Sequence, residues 1–201
     1  AVLRLHHAKS ALLIVLVYPR AGGLLILFIR GIGISTLMRS TQELIERPWR
    51  DIPVSVTEDR LFGTIDTEKA IYSGQKKLYP GIINEADQGV LYLDDANLLR
   101  EDLLDSILNI AEVGAYQLER DGLSLRCDTS FTVIAAINPE SGMLSGACLD
   151  QFGLFVNVDN IHDENTRVEI LKRTISFEKA CASLCNLWKL ENEKIKKAIL
   201  S

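Results

Sequence analysis

The sequence predicts an α/β fold: a mostly parallel sheet with helices on both faces. Three observations carry this. The runs Leu24–Ile29, Val90–Leu93 and, but for Thr132, Phe131–Ile137 are apolar at successive positions, the pattern of strands covered on both sides. Segments of helical periodicity separate them, and alternating strands and helices build a parallel sheet. The runs end on a glycine turn, an aspartate pair and an asparagine, and open α/β sheets bind ligands at the carboxyl ends of their strands.

Taken in order, residues 3–17 predict a helix supported by Ala8, Ala11, Leu12 and Leu13 and ended by Pro19 and Gly22-Gly23. Leu24–Ile29 is the first strand, Arg30-Gly31-Ile32-Gly33 a glycine-rich turn, and residues 35–47 a helix ended by Pro48. Residues 52–56 read as a short strand, 67–75 as a short helix and 81–86 as a helical turn before Gly89. Val90–Leu93 is a buried strand closed by Asp94-Asp95. Residues 100–113 form an amphipathic helix with Leu103, Leu104, Ile107, Leu108 and Ala111 on one face. Tyr116–Leu118 and Leu123–Arg126 flank Asp121-Gly122, a strong hairpin signal. Phe131–Ile137 is a strand closed by Asn138-Pro139, and Leu154–Val158 is the last strand. Residues 166–174 and 191–200 read as helices.

The chain has 201 residues, enough for one domain with an appendage. Its hydrophobic content of 47% and charged content of 24% are ordinary globular values. A net charge of −5 argues against nucleic acid as a partner. The four cysteines are too scattered for a disulfide scaffold. Cys181 and Cys185 would need two more ligands to hold a metal, and His162 is the only histidine in that half. Buried reduced thiols and a cytoplasmic setting follow. The runs Ala11–Val17 and Leu24–Ile29 fall well short of the roughly 20 residues that span a bilayer. The first lacks the small-residue cleavage pattern of a signal peptide.

Phe28-Ile29-Arg30-Gly31-Ile32-Gly33-Ile34-Ser35-Thr36 lies where a phosphate loop belongs, between a strand and a helix. Such a loop reads G-x-x-x-x-G-K-[ST]: glycines let backbone N–H groups face the phosphates, the lysine neutralises charge and the hydroxyl binds Mg²⁺. Gly33, Ser35 and Thr36 fit, whereas Phe28 stands for the first glycine and Ile34 for the lysine. At the next strand ends, Asp94 suits an Mg²⁺ ligand, Asp95 a residue that polarises the attacking water, and Asn138 one that holds that water. Singly, each also suits a cap on the element that follows.

The chain resembles the AAA+ module of the magnesium chelatase group. The resemblance rests on Tyr18-Pro19-Arg20-Ala21-Gly22-Gly23, Thr57-Glu58-Asp59-Arg60-Leu61-Phe62-Gly63, Pro80-Gly81-Ile82-Ile83 and the run Gly89–Leu99. It continues through Glu119–Ser124, Asn138-Pro139-Glu140 and Leu149–Leu154. It implies a P-loop NTPase-like AAA+ core with a parallel sheet of order 5-1-4-3-2, helices on both faces and a β-hairpin insertion around Asp121-Gly122. The implied core spans residues 1–178, and residues 179–201 form a helical segment leading toward a lid domain that the sequence does not include.

Four departures bear on the subtype: Ile34 at the lysine, Phe28 at the first glycine, Asp95 in place of glutamate, and Gln151 where the family's arginine finger precedes Phe-Gly-Leu. Such a finger acts on a neighbour's nucleotide. The resemblance therefore implies a D-type scaffold subunit that does not hydrolyse ATP. Its vestigial nucleotide-binding residues are Arg30, Gly31, Ile32, Gly33, Ile34, Ser35 and Thr36. Asp94 and Ser35 would hold Mg²⁺ only with bound ATP, which is expected to be weak or absent. Arg20 and Arg30 are possible compensating cations, Arg30 reading otherwise as a solvated loop residue. The implied partners are the I-type AAA+ motor subunit and the large porphyrin-binding subunit of an enzyme that inserts Mg²⁺ into protoporphyrin IX. The alternative is an ATP-binding, slowly hydrolysing ATPase of the chelatase/MoxR group.

Overall fold

The computed structural model describes residues 5–29, 31–65, 78–120 and 123–158, and beyond these 165, 168–172, 175, 192–197 and 199. Helix α1 (His6–Val17) and a short 3-10 turn lead into β1 (Leu24–Phe28), followed by α2 (Ile34–Leu44) and β2 (Trp49–Ile52). Next come α3 (Glu58–Phe62), β3 (Gly63–Ile65), β4 (Leu78–Pro80), α4 (Ile82–Glu85) and β5 (Gly89–Leu93). The chain continues through α5 (Glu101–Val113), β6 (Ala115–Arg120), β7 (Leu123–Asp128), β8 (Phe131–Ile137), α6 (Gly146–Leu149) and β9 (Leu154–Val158).

Five strands form one sheet in the order β2-β5-β8-β1-β9, and every neighbouring pair is parallel. Counting only these strands along the chain, the order is 5-1-4-3-2, as the resemblance implied. Side chains alternate across a strand, so β1 sends Leu25 and Leu27 to one face and Leu24, Ile26 and Phe28 to the other. The first set joins Leu91, Leu93, Val133, Ala135 and the α5 residues Leu103, Leu104 and Ile107. The second joins Tyr92, Ile134 and the inner faces of α1 and α2. Full burial of each such side chain contributes about 1.5–3 kcal/mol, so both helical layers are held mainly by packing.

Several expectations shift. The second strand is Trp49–Ile52, earlier than the predicted 52–56. Trp49 and Ile52 are its buried residues, while Arg50 and Asp51 face out. Pro53 has no N–H to extend the ladder, and the Val56 N–H closes a turn onto the Pro53 carbonyl at 3.0 Å. Helix α2 ends at Leu44 rather than 47, because Ile45 is already extended. The helical turn predicted at 81–86 is the four-residue helix Ile82–Glu85. Both hairpin arms are longer than predicted and pair from Ala115↔Asp128 to Arg120↔Leu123. Beside α4, β3 and β4 form an antiparallel ribbon that the sequence did not predict. The predicted helix at 67–75 and the turn residues Asp121-Gly122 lie outside the described residues. Of the predicted helices at 166–174 and 191–200, the described residues are helical.

Among the described residues, no helix is long and apolar enough to cross a membrane.

Candidate functional site

Strands β5, β8 and β1 are adjacent and parallel, so the residues that follow them share one edge of the sheet. After β1 the chain turns through Gly31 (φ 93°) and Gly33 (φ 89°). These are left-handed conformations that a Cβ disfavours. Gly33 is the N-cap of α2 and offers no side-chain cap, so the first helical N–H groups face the turn without one. Ser35 and Thr36 are exposed. Arg30 lies outside the described residues, and Ile32 packs partly against the α1/α2 cluster.

Ile34 points elsewhere. It is 2% exposed and belongs to the same apolar cluster as Ile26, Phe28, Leu37 and Met38. Phe28 is 8% exposed. Its place on β1 directs it into the core with Ile26 and Ile34. At this position a phosphate loop needs a cation on a flexible stem, and here that place is filled by an uncharged side chain committed to packing. The turn's backbone geometry suits an anion, and Ser35 and Thr36 present exposed hydroxyls beside it, while the lysine position carries no charge.

The acidic end of β5 is better kept. Asp94 is half-buried, and its Oδ1 accepts a hydrogen bond from the Tyr92 hydroxyl at 3.1 Å. Burial, and then the Asp94 charge, push the Tyr92 phenol well above its ordinary range. Tyr92 thus acts at neutral pH as a fixed donor. Asp95 takes a left-handed conformation (φ 51°) and makes no side-chain cap to the following 3-10 turn. Its Oδ1 is buried without a hydrogen-bond partner.

Asn138, at the end of β8, is 2% exposed. Its Oδ1 accepts from the Glu140 N–H at 3.0 Å, so the simple capping role applies to Asn138 and not to Asp95. Asn97 joins the two strand ends: its Nδ2 donates to the Asn138 carbonyl at 3.3 Å and to the Gly142 carbonyl at 3.1 Å. Tyr92 and Asn97 escaped sequence reasoning. The available signal was that Tyr92 lies two residues before Asp94, on the same strand face.

Gln151 is exposed beyond α6, its Nε2 donating to the Ala147 carbonyl at 3.4 Å. Two residues on, the Gly153 N–H donates to the Gly22 carbonyl at 2.9 Å, a contact so close that a Cβ on Gly153 would overlap the Ala21 carbonyl oxygen. Arg20 is exposed in the 3-10 turn Pro19–Ala21. Among the described residues, no group of three or more His, Cys, Asp or Glu could hold a metal ion.

The sheet order, the glycine turn between first strand and helix, and the carboxylate at the neighbouring strand end define an AAA+ module of the P-loop type. A family model described as "Magnesium chelatase, subunit ChlI" matches residues 31–146. The magnesium-chelatase 38 kDa subunit of Cereibacter sphaeroides is 32% identical over an alignment covering 100% of this chain and 70% of that protein. The 38 kDa subunit of Rhodobacter capsulatus is 33% identical, covering 96% of this chain and 64% of that one. A solved structure, a model of the complex between subunits BchI and BchD of magnesium chelatase, superposes with a TM-score of 0.69 and 33% identity. It covers 96% of this chain and 70% of its counterpart. The chain belongs to the magnesium chelatase family, and it spans about two thirds of the length of these relatives.

Proposed function

We propose that this chain is a scaffold module of a chelatase complex that occupies a ring position without hydrolysing ATP. The observation that carries the reading is Ile34, buried in the core where the phosphate-binding cation belongs. Losing a charge-assisted contact to phosphate removes roughly 1.5–3 kcal/mol. Gln151 removes the cation that would serve a neighbour's nucleotide. The relatives carry the I-type name, so the reading places the D-type role on a module of I-type likeness. Its partners would be an ATP-hydrolysing I-type subunit and the large porphyrin-binding subunit, and the assembled complex would insert Mg²⁺, its substrate, into protoporphyrin IX. The AAA+ core would occupy residues 1–178, with 179–201 leading onward. A cytoplasmic setting belongs to the same reading, in keeping with the free, buried Cys127 and Cys148.

A second reading, weak nucleotide binding with slow hydrolysis, is favoured by what persists: the left-handed glycines, exposed Ser35 and Thr36, and Asp94 at the strand end. Calorimetry with MgATP separates the two. The scaffold reading expects no saturable heat at millimolar nucleotide, and micromolar affinity overturns it.

A further inference from the structure

Arg47 lies in the link between α2 and β2 and makes two long-range hydrogen bonds. Its Nη1 donates to the Leu16 carbonyl at 3.1 Å and its Nη2 to the Ile199 carbonyl at 3.4 Å. Leu16 is in the last turn of α1, where carbonyls lack an intrahelical partner, and that turn holds no basic residue of its own. Ile199 follows the helical residues 192–197 and is itself helical. Helix carbonyl ends carry partial negative charge and favour a cation. Ile199 is 4% exposed, and Ile195 packs partly against the cluster that holds α1 and α2.

We propose that Arg47 is a two-point clamp: one guanidinium that closes α1 and, through the Ile199 carbonyl, fixes the segment carrying Ile195 and Ile199 against α1 and α2. Ile195 and Ile199 supply adhesion, but apolar contact is non-directional and leaves the segment free to slide or rotate. Two N–H groups held in one plane remove that freedom, because they reach two acceptors at a set angle. A lysine ammonium has the charge without the fork. Arg47 is thus a positioning residue for the C-terminal segment, a role separate from the nucleotide question.

Hydrogen exchange on the whole chain tests this. In Arg47→Met, amides over 192–199 and in the last turn of α1 should exchange about tenfold faster or more, the factor expected from losing charge-assisted hydrogen bonds. Amides of β1, β5 and β8 should keep wild-type rates. In Arg47→Lys, the 192–199 amides should still exchange faster while the end of α1 stays protected. Unchanged exchange over 192–199 in Arg47→Met overturns the proposal, as does an equal loss across the sheet strands. Should Arg47→Met not fold, Arg47→Lys decides: wild-type exchange over 192–199 in that variant rules out a two-point clamp.

Discussion

At residue scale, the burial of Ile34 governs what a lysine there can achieve. Lysine at this position has to leave its charge in the cluster around Ile26 and Phe28 or pull the start of α2 away from it. Ile34→Lys should therefore lower unfolding free energy by about 2–4 kcal/mol, measured by denaturant titration, and should not restore MgATP binding alone. Joined to Phe28→Gly, which supplies the loop's first glycine, it should bind nucleotide measurably. An Ile34→Lys chain of wild-type stability would show that the side chain escapes the core. Cys148 gives a pH test. It is buried, and its thiol donates to Asp105 Oδ1 at 2.9 Å. Burial first, then Asp105, push its pKa up. The protonated thiol's contribution is fully present below the ordinary thiol range and is lost as pH rises through the higher folded value. Stability should thus fall in the alkaline range, and Cys148→Ala should flatten that fall in unfolding midpoints measured across pH.

At the scale of elements, the β6–β7 hairpin divides into an anchored base and an outer part. The Tyr116 hydroxyl donates to the Phe62 carbonyl at 2.7 Å and lies 2.8 Å from Asn84 Oδ1, while Cys127 is buried. Gln117, Glu119, Ser124 and Arg126 are exposed. Replacing residues 118–125 by a two-residue turn should leave the melting temperature within a few degrees and weaken partner binding. Tyr116→Phe should instead cost about 1–2 kcal/mol with binding kept. Calorimetric melting and pull-down on the two variants distinguish the parts. The arms were legible because alternating residues surround an Asp-Gly pair. Strand β2 is hard to place from sequence because a four-residue edge strand with two outward charges carries little apolar signal. The β3–β4 ribbon, with three residues per strand, has no period to read. At the site, glycines and carboxylates announce themselves by type. The Tyr92–Asp94 bond and the Asn97 bridge arise from strand pairing and loop folding, which no local pattern encodes.

For the whole molecule, the sheet and its two cores stand without help from the strand-end site, since the apolar clusters lie on the sheet faces and the site lies at its edge. Light scattering should find one mass for the pure chain with and without MgATP, and a larger complex only when an I-type subunit is added. A nucleotide-driven hexamer of this chain alone contradicts the scaffold reading. Ile34→Lys with Gln151→Arg should gain nucleotide-dependent association only when Phe28→Gly accompanies them.

The backbone seam at Gly22 and Gly153 has a bearing on how such a chain changes over generations. It joins the entrance of β1 to that of β9 through main-chain atoms, with no room for a side chain on Gly153. Any replacement there should reduce the amount of folded protein, whatever the protein is used for. Gly31 faces open space, so its replacement carries the strain of a left-handed turn, about 1–2 kcal/mol, and no clash. In a mutational library scored only for cellular abundance, position 153 should be nearly invariant and position 31 permissive. Lineages that no longer depend on nucleotide are then free to erode the turn while the seam stays fixed, leaving an intact fold around a site whose chemistry has drifted.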